Sequence, residues 1–327
     1  MSKESKEVLR KIEKYGPIRA VELVKMLNVS TKTVYKHLTK LLDEELIEKT
    51  GTTPRVFYMV KEKGIENEQE NDDIFNIENQ IIEQEYIYVS PDGKMHRGQT
   101  GFQLWCKRNN LKIEKEKKLF IKGLKAIQKI KKDGLISAKK TILSGKGRIH
   151  LDNIYFSNFY TFDHFGKTKL GQLVYLGKSS QNKELISEIA QIVKPSIQKL
   201  IKKYNIKAVC FIPPTIDRKI QFLDALKQKL KLDLVEVKAV KVDGGIKVPQ
   251  KTLRKLEDRI INAKTTITVN PNQKIDGNIL IIDDATGSGA TLNETAKKIR
   301  NITTKNTKII GYSVIGSYKG FDVISEV

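Results

Sequence analysis

One segment constrains this chain more than any other: GNILIIDDATGSGATLNETAKKI, residues 277–299. Ile279, Leu280, Ile281 and Ile282 form a short continuous apolar run, the pattern of a strand buried on both faces. It ends abruptly on two carboxylates, Asp283 and Asp284. A loop of small and hydroxylated residues follows, Ala285, Thr286, Gly287, Ser288, Gly289, Ala290 and Thr291, and opens directly into a helical pattern predicted over Ala290–Ile302. Glycines let backbone N–H groups approach an anion, and the positive end of the following helix favours negative charge there. Thr286, Ser288 and Thr291 add hydroxyl donors. A phosphate cradle one step from two carboxylates suits a sugar phosphate, with its hydroxyls on the acids and its phosphate in the loop.

The surroundings agree with such a strand edge. From about residue 150 the pattern alternates between strands and helices. Strands are expected at Gln172–Leu176, Ala208–Ile212, Leu234–Val237, Thr265–Val269, Asn278–Ile282 and Lys308–Ile315. Helices are expected at Lys183–Tyr204, interrupted near Pro195, and at Ile216–Leu230. That alternation predicts an α/β unit with a mostly parallel sheet covered on both faces, and ligands in such sheets bind at the carboxyl ends of the strands.

The strand, acid pair and Thr/Gly loop resemble the phosphoribosyl diphosphate (PRPP) signature of type I phosphoribosyltransferases. The resemblance implies that Asp283 and Asp284 face the ribose hydroxyls and that residues 285–291 hold the 5′-phosphate, with Mg²⁺ accompanying the diphosphate. Gly287 stands where that family usually has Ser or Thr. Pro213, Pro214, Thr215 and Arg218 end one strand where the family places its pyrophosphate loop. The segment VPQKTLRKLEDRIINA resembles ComF-type phosphoribosyltransferases at Gln250, Leu253, Arg259 and Asn262, the last pair one residue further along than in that family; the irregular stretch Lys238–Asn262 that holds them is long enough to act as a closing lid. The Cys clusters that precede the catalytic domain of many ComF proteins are absent. Tyr318 or Phe321 could stack on a base or simply pack. The acid pair also suits a P-loop NTPase, but GQLVYLGKSS has five residues between its glycines where the phosphate-binding motif needs four.

The first sixty residues have another character. Glu4–Tyr15 places Val8, Leu9 and Ile12 on one helical face. A second helix is expected with Val21, Val24 and Leu27 inward. A third runs from Thr31 to about Glu44, N-capped by Ser30, with Val34, Leu38, Leu41 and Leu42 buried. Leu46–Glu48 and Arg55–Val60 read as a hairpin. Helix, helix, turn, helix, hairpin resembles a winged helix-turn-helix domain over residues 4–60. Its third helix would present Ser30, Thr31, Lys32, Thr33, Tyr35, Lys36, His37 and Lys40 to double-stranded DNA, and its wing Arg55. The alternative is a small domain for protein contact or dimerisation, and a homodimer is possible.

Between these parts the charge is uneven. Residues 61–85 hold 2 Lys and Arg against 9 Asp and Glu, and residues 106–149 hold 15 against 3. The first reads as an acidic linker. The second belongs to a basic mixed region, 86–149, of unknown role, with a strand and a Pro-Asp-Gly turn. It carries a helix over 111–133 whose apolar stripe is Leu119, Ile121, Leu124 and Ile127, either a connector or an added nucleic-acid contact. The domain reading is therefore winged helix 1–60, linker 61–85, basic region 86–149 and phosphoribosyltransferase-like domain 150–327. The formal net charge of +22 attracts polyanions, although a Lys-, Ile- and Asn-rich composition can arise from coding bias alone. Only two cysteines occur, outside any C-x-x-C pair, so no disulfide framework or structural metal is expected. The absence of a long apolar run or secretory leader suggests a cytoplasmic protein without membrane association. Together these features suggest a PRPP- or nucleotide-sensing regulator coupled to DNA. The alternatives are a working Mg²⁺-dependent phosphoribosyltransferase or a ComF-like role in DNA uptake or processing.

Overall fold

The computed structural model describes residues 2–51, 55–61, 73–138, 148–242, 245–246, 248, 252–253 and 255–317. The chain divides into two compact units, Met1–Asn71 and Asp72–Val327.

In the first unit, helices α1 (Lys3–Tyr15), α2 (Ala20–Leu27) and α3 (Thr31–Asp43) precede an antiparallel hairpin of β1 (Ile47–Thr50) and β2 (Phe57–Val60). Its core gathers Val8, Ile12, Leu23, Val34, Leu38, Leu41, Ile47 and Tyr58. The α2 helix is rotated from the predicted face. Ala20 and Leu23 are buried while Val21 is 60% exposed, because the inward set runs 20, 23, 24, 27 at helical spacing rather than starting at 21. Asn28, in the left-handed conformation, closes α2, and Ser30 accepts a hydrogen bond from the Thr33 amide at 3.1 Å to start α3.

The second unit opens with α4 (Asp73–Glu85), which lies within the predicted acidic linker; Ile82 is fully buried and joins the core of this unit. The hairpin β3 (Ile87–Val89) and β4 (Met95–Arg97) follows, then α5 (Gly98–Arg108) and α6 (Ile113–Ile130). The inward face of α6 differs from the predicted stripe: Phe120, Ile121 and Ile127 are buried, Leu124 is partly so, and Leu119 is 40% exposed. The ring of Phe120 packs against Tyr86, Phe102, Phe162 and Phe165.

The remaining elements are β5 (Ile136–Ser137), β6 (Asn153–Phe159), α7 (Lys169–Ser179), α8 (Lys183–Tyr204), β7 (Ile206–Phe211), α9 (Phe222–Leu230), β8 (Val235–Glu236), β9 (Ala239–Lys241), α10 (Leu256–Thr266), β10 (Ile267–Val269), β11 (Asn278–Thr286), α11 (Ala290–Arg300) and β12 (Ile309–Gly316). Six strands form one sheet in the order β5-β6-β12-β11-β7-β8, parallel except for β5. The unit is thus mixed α/β with a mostly parallel sheet, and β11 lies inside it between β12 and β7.

Several expectations change. Residues 172–176 are helix α7, not a strand: Thr168 caps its first turn, and Leu170, Leu173, Val174 and Gly177 bury one face at helical spacing. The missing sheet member is β6, whose residues are buried from Ile154 to Phe159. The α8 helix continues through Pro195, held on both sides by buried Ile189, Val193, Ile197 and Leu200; tertiary packing offsets the lost backbone hydrogen bond. Residues 216–221 are not helical: Ile220 donates to the Gln181 side chain and Gln221 donates back to the Ile216 carbonyl, so the helix begins only at Phe222. The strand expected at 265–269 is shorter and pairs with β9 outside the main sheet, while Thr265 and Thr266 end α10.

Candidate functional site

The loops after two adjacent parallel strands, β7 and β11, open on one cavity of about 210 Å³. Its wall includes every residue from Asp283 to Thr291, together with Pro213, Pro214, Thr215 and Arg218. The β11 strand extends further than the apolar run suggests. It carries both acids and continues to Thr286, in register with β12 from Ile279 against Ile309 to Thr286 against Gly316. Gly289 stands at φ +73° as the N-cap of α11, a conformation that favours glycine and turns the loop into the helix. No side chain at Gly289 caps the helix; the Ala290 amide reaches the Ser288 hydroxyl at 3.4 Å. The Thr286 hydroxyl is buried and has no hydrogen-bond partner among the described residues.

The two acids differ sharply. Burial pushes the Asp283 carboxyl up to about 8, and the neighbouring Asp284 charge adds to that rise. Burial acts on Asp284 too, but the Lys178 ammonium outweighs it and holds that carboxyl below the usual carboxylate range. Lys178, at the end of α7, forms an ion pair with Asp284. The Asp283 carboxylate accepts from the Asp284 amide at 2.8 Å. Arg218 donates to the Lys178 carbonyl, so the loop after β7 and the end of α7 are tied together at the cavity wall. Lys241 on β9 also lines the cavity and donates to the Thr215 hydroxyl at 2.5 Å. Burial lowers the Lys241 ammonium, and the two aspartates oppose that shift. Lys178 and Lys241 escaped sequence reasoning because each lies far from the acid pair in sequence; no local motif marks them.

The expected lid is only partly represented. Arg259 lines the cavity and donates to the Leu253 carbonyl at 2.8 Å. Asn262, one turn on, is not part of that wall. Gln250, Tyr318 and Phe321 lie outside the described residues.

In the first unit, α3 presents Thr31, Lys32, Tyr35, Lys36 and Lys40 to solvent, and Arg55 is exposed before β2. Thr39 shares that face, between Tyr35 and Lys32 in helical projection; its spacing from Tyr35 could have signalled it. His37 departs from the predicted interface: it is half-buried, and its Nδ1 shares a hydrogen bond of 2.9 Å with the Ser5 hydroxyl of α1. Ser30 and Thr33 are spent largely on the cap, their hydroxyls 2.8 Å apart. Lys40 lies 3.8 Å from Glu44.

Residues 2–52 match the model of the MarR family. The chain therefore carries, at this end, a winged-helix segment similar to those DNA-binding transcriptional regulators. A hypoxanthine phosphoribosyltransferase from Staphylococcus aureus is similar at 16% identity and a TM-score of 0.24, over 40% of this chain and 63% of that one, less than two thirds of its length. A likeness at that level carries no inference about fold or ligand. No curated protein matches the sequence.

Among the described residues no three His, Cys, Asp or Glu side chains gather into a metal-binding group, and no helix is long and apolar enough to cross a membrane. Two carboxylates, one already paired with Lys178, fit a divalent cation only if an incoming ligand brings oxygens of its own. What the cavity offers by itself is a glycine loop opening a helix, two acids of opposite protonation tendency, and the cations Lys178, Arg218, Lys241 and Arg259 in its wall.

Proposed function

We propose that this protein is a DNA-binding regulator whose second unit binds PRPP, or a nucleotide sharing its ribose 5′-phosphate. The observation that carries this reading is the junction at the end of β11: an acid pair followed without a gap by a glycine loop that opens a helix. In this reading the 5′-phosphate takes the loop amides and the unpartnered Thr286 hydroxyl. The ribose hydroxyls donate to Asp283 and Asp284. A diphosphate would meet Arg218 and Lys241, and Mg²⁺ carried by it would neutralise part of its charge. The fold of the second unit is read as that of a type I phosphoribosyltransferase, with the ComF-like stretch as the motif nearest to it. The first unit reads DNA through Lys32, Tyr35, Lys36 and Thr39 of α3 and Arg55 of the wing, and a dimer would let two such units read two half-sites.

Regulation requires that ligand and DNA affect each other, by about 1–3 kcal/mol if the coupling is typical. The test has two stages. Calorimetric titration of Mg²⁺ and PRPP into wild type and into Asp283→Asn/Asp284→Asn should give saturable binding in the first and none in the second. The affinity for an operator selected from random duplexes should then change when PRPP is present. No binding by wild type overturns the ligand; unchanged DNA affinity overturns the coupling. Pyrophosphate release on addition of a nucleobase would make the second unit an enzyme instead.

A further inference from the structure

The α6 helix carries a second charged surface, in the unit that holds the pocket and apart from the winged helix. Lys115, Lys118, Lys122, Lys125 and Lys129 are all exposed. Their spacing of three and four residues places them in an arc of about 80° and over about 21 Å of helix length. The opposite face is fixed. Phe120, Ile121 and Ile127 are buried, and Phe120 stands within the aromatic cluster of Tyr86, Phe102, Phe162 and Phe165. The row is therefore held by a packed element rather than by a loop.

The acids of this helix do not neutralise the row. Glu114 and Glu116 are its only carboxylates. Glu116 turns inward, 2.6 Å from the His164 Nε2, and Glu114 pairs with Lys117 at 2.9 Å. None of the five lysines makes an ion pair with a carboxylate among the described residues. On the flank, Asp163 lies beside Gly123. Lys107, Arg108 and Lys112, just before α6 in the chain, are also exposed.

We infer that the lysine row of α6 is a contact for the phosphate backbone of double-stranded DNA, independent of sequence. Regularly spaced ammonium groups on an anchored helix match a line of phosphates, and lysine supplies the point charge that counterion release requires. Such a contact adds sequence-independent affinity and leaves base reading to other elements. Leu119 and Ile130, 40% and 51% exposed, lie beside the row rather than within it; a membrane-seeking helix would need a broad apolar face where α6 has its buried core.

The test uses the full chain and a duplex of arbitrary sequence. The first variant replaces Lys115, Lys118, Lys122, Lys125 and Lys129 by Gln. The second removes the same charge elsewhere in this unit, at the exposed Lys183, Lys202, Lys207, Lys229 and Lys238. Wild type should bind at low salt, with an affinity that falls as salt rises. The α6 variant should lower the slope of log affinity against log salt by about 0.9 per lost phosphate contact, about 4.5 when all five lysines meet phosphates, while the second variant changes it by less than one contact. Thermal melts of all three should agree, since every substituted side chain is exposed. Equal loss in both variants would reduce the row to net charge and overturn the inference. So would an unchanged slope in the α6 variant, no duplex binding by wild type, or α6-dependent binding to phosphatidylserine-rich vesicles without duplex binding.

Discussion

Lys178 and Asp284 join the end of helix α7 to the end of strand β11, with the Lys178 ammonium against the carboxylate that precedes the glycine loop. Arg218 holds the backbone of the same lysine. One residue thus couples three parts of the cavity wall that are far apart in sequence.

Removing that cation should leave a poorly solvated carboxylate beside Asp283. Lys178→Met is expected to lower unfolding stability by about 2 kcal/mol, less than for a fully buried pair because both side chains keep some contact with solvent. Combining it with Asp284→Asn should recover most of the loss. Urea denaturation of the two single variants and the double variant measures this; an additive double variant would deny the coupling.

The acid pair should give stability a recognisable pH dependence. Because Asp283 is raised in the folded state to about 8, folding is favoured most below the ordinary carboxylate range, near 4. Stability is lost progressively as pH rises toward 8, since the unfolded chain ionises first. Asp283→Asn should therefore melt at a higher temperature than wild type, by a margin that widens from pH 5 to 8, while binding PRPP less well. PRPP affinity of wild type should rise through the same window if the ribose hydroxyls require the ionised acid. A margin that is flat with pH would place Asp283 in the usual range.

On α3 the cap and the reading face should separate. Ser30→Ala should cost about 1 kcal/mol through the lost bond to the Thr33 amide. His37→Ala should lower the melting temperature and leave the salt slope of DNA binding unchanged, because His37 faces Ser5 of α1. Lys36→Gln should do the reverse, reducing the slope by about 0.9 if it meets a phosphate.

The aromatic anchor of α6 should be expensive to remove. Phe120→Ala is expected to cost about 3–5 kcal/mol, the range for large buried aromatics, against less than about 0.5 kcal/mol for Lys122→Gln on the exposed face. Chemical denaturation of both, with a coincident transition by fluorescence of Trp105, measures the difference.

Local sequence determined much of this molecule. The apolar run 279–282, the acid pair and the glycine loop define a strand end and a helix start wherever they lie, because burial and backbone freedom act within a few residues. The same holds for the three N-terminal helices, whose apolar spacing and Ser30 cap are local signals. Periodicity did not decide short apolar runs. Gln172–Leu176 reads as a strand by composition, but in the fold a Thr168 cap and a partner surface make it helix; residues 153–159 became a strand because β12 lies beside them. Pro195 marks a break that α8 does not take, since its buried face holds the helix together across the proline. Only the tertiary structure decided which distant residues complete the cavity. Lys178 and Lys241 come to the acid pair through sheet order and helix placement, and no spacing within 327 residues encodes a contact that the packing of a sheet creates.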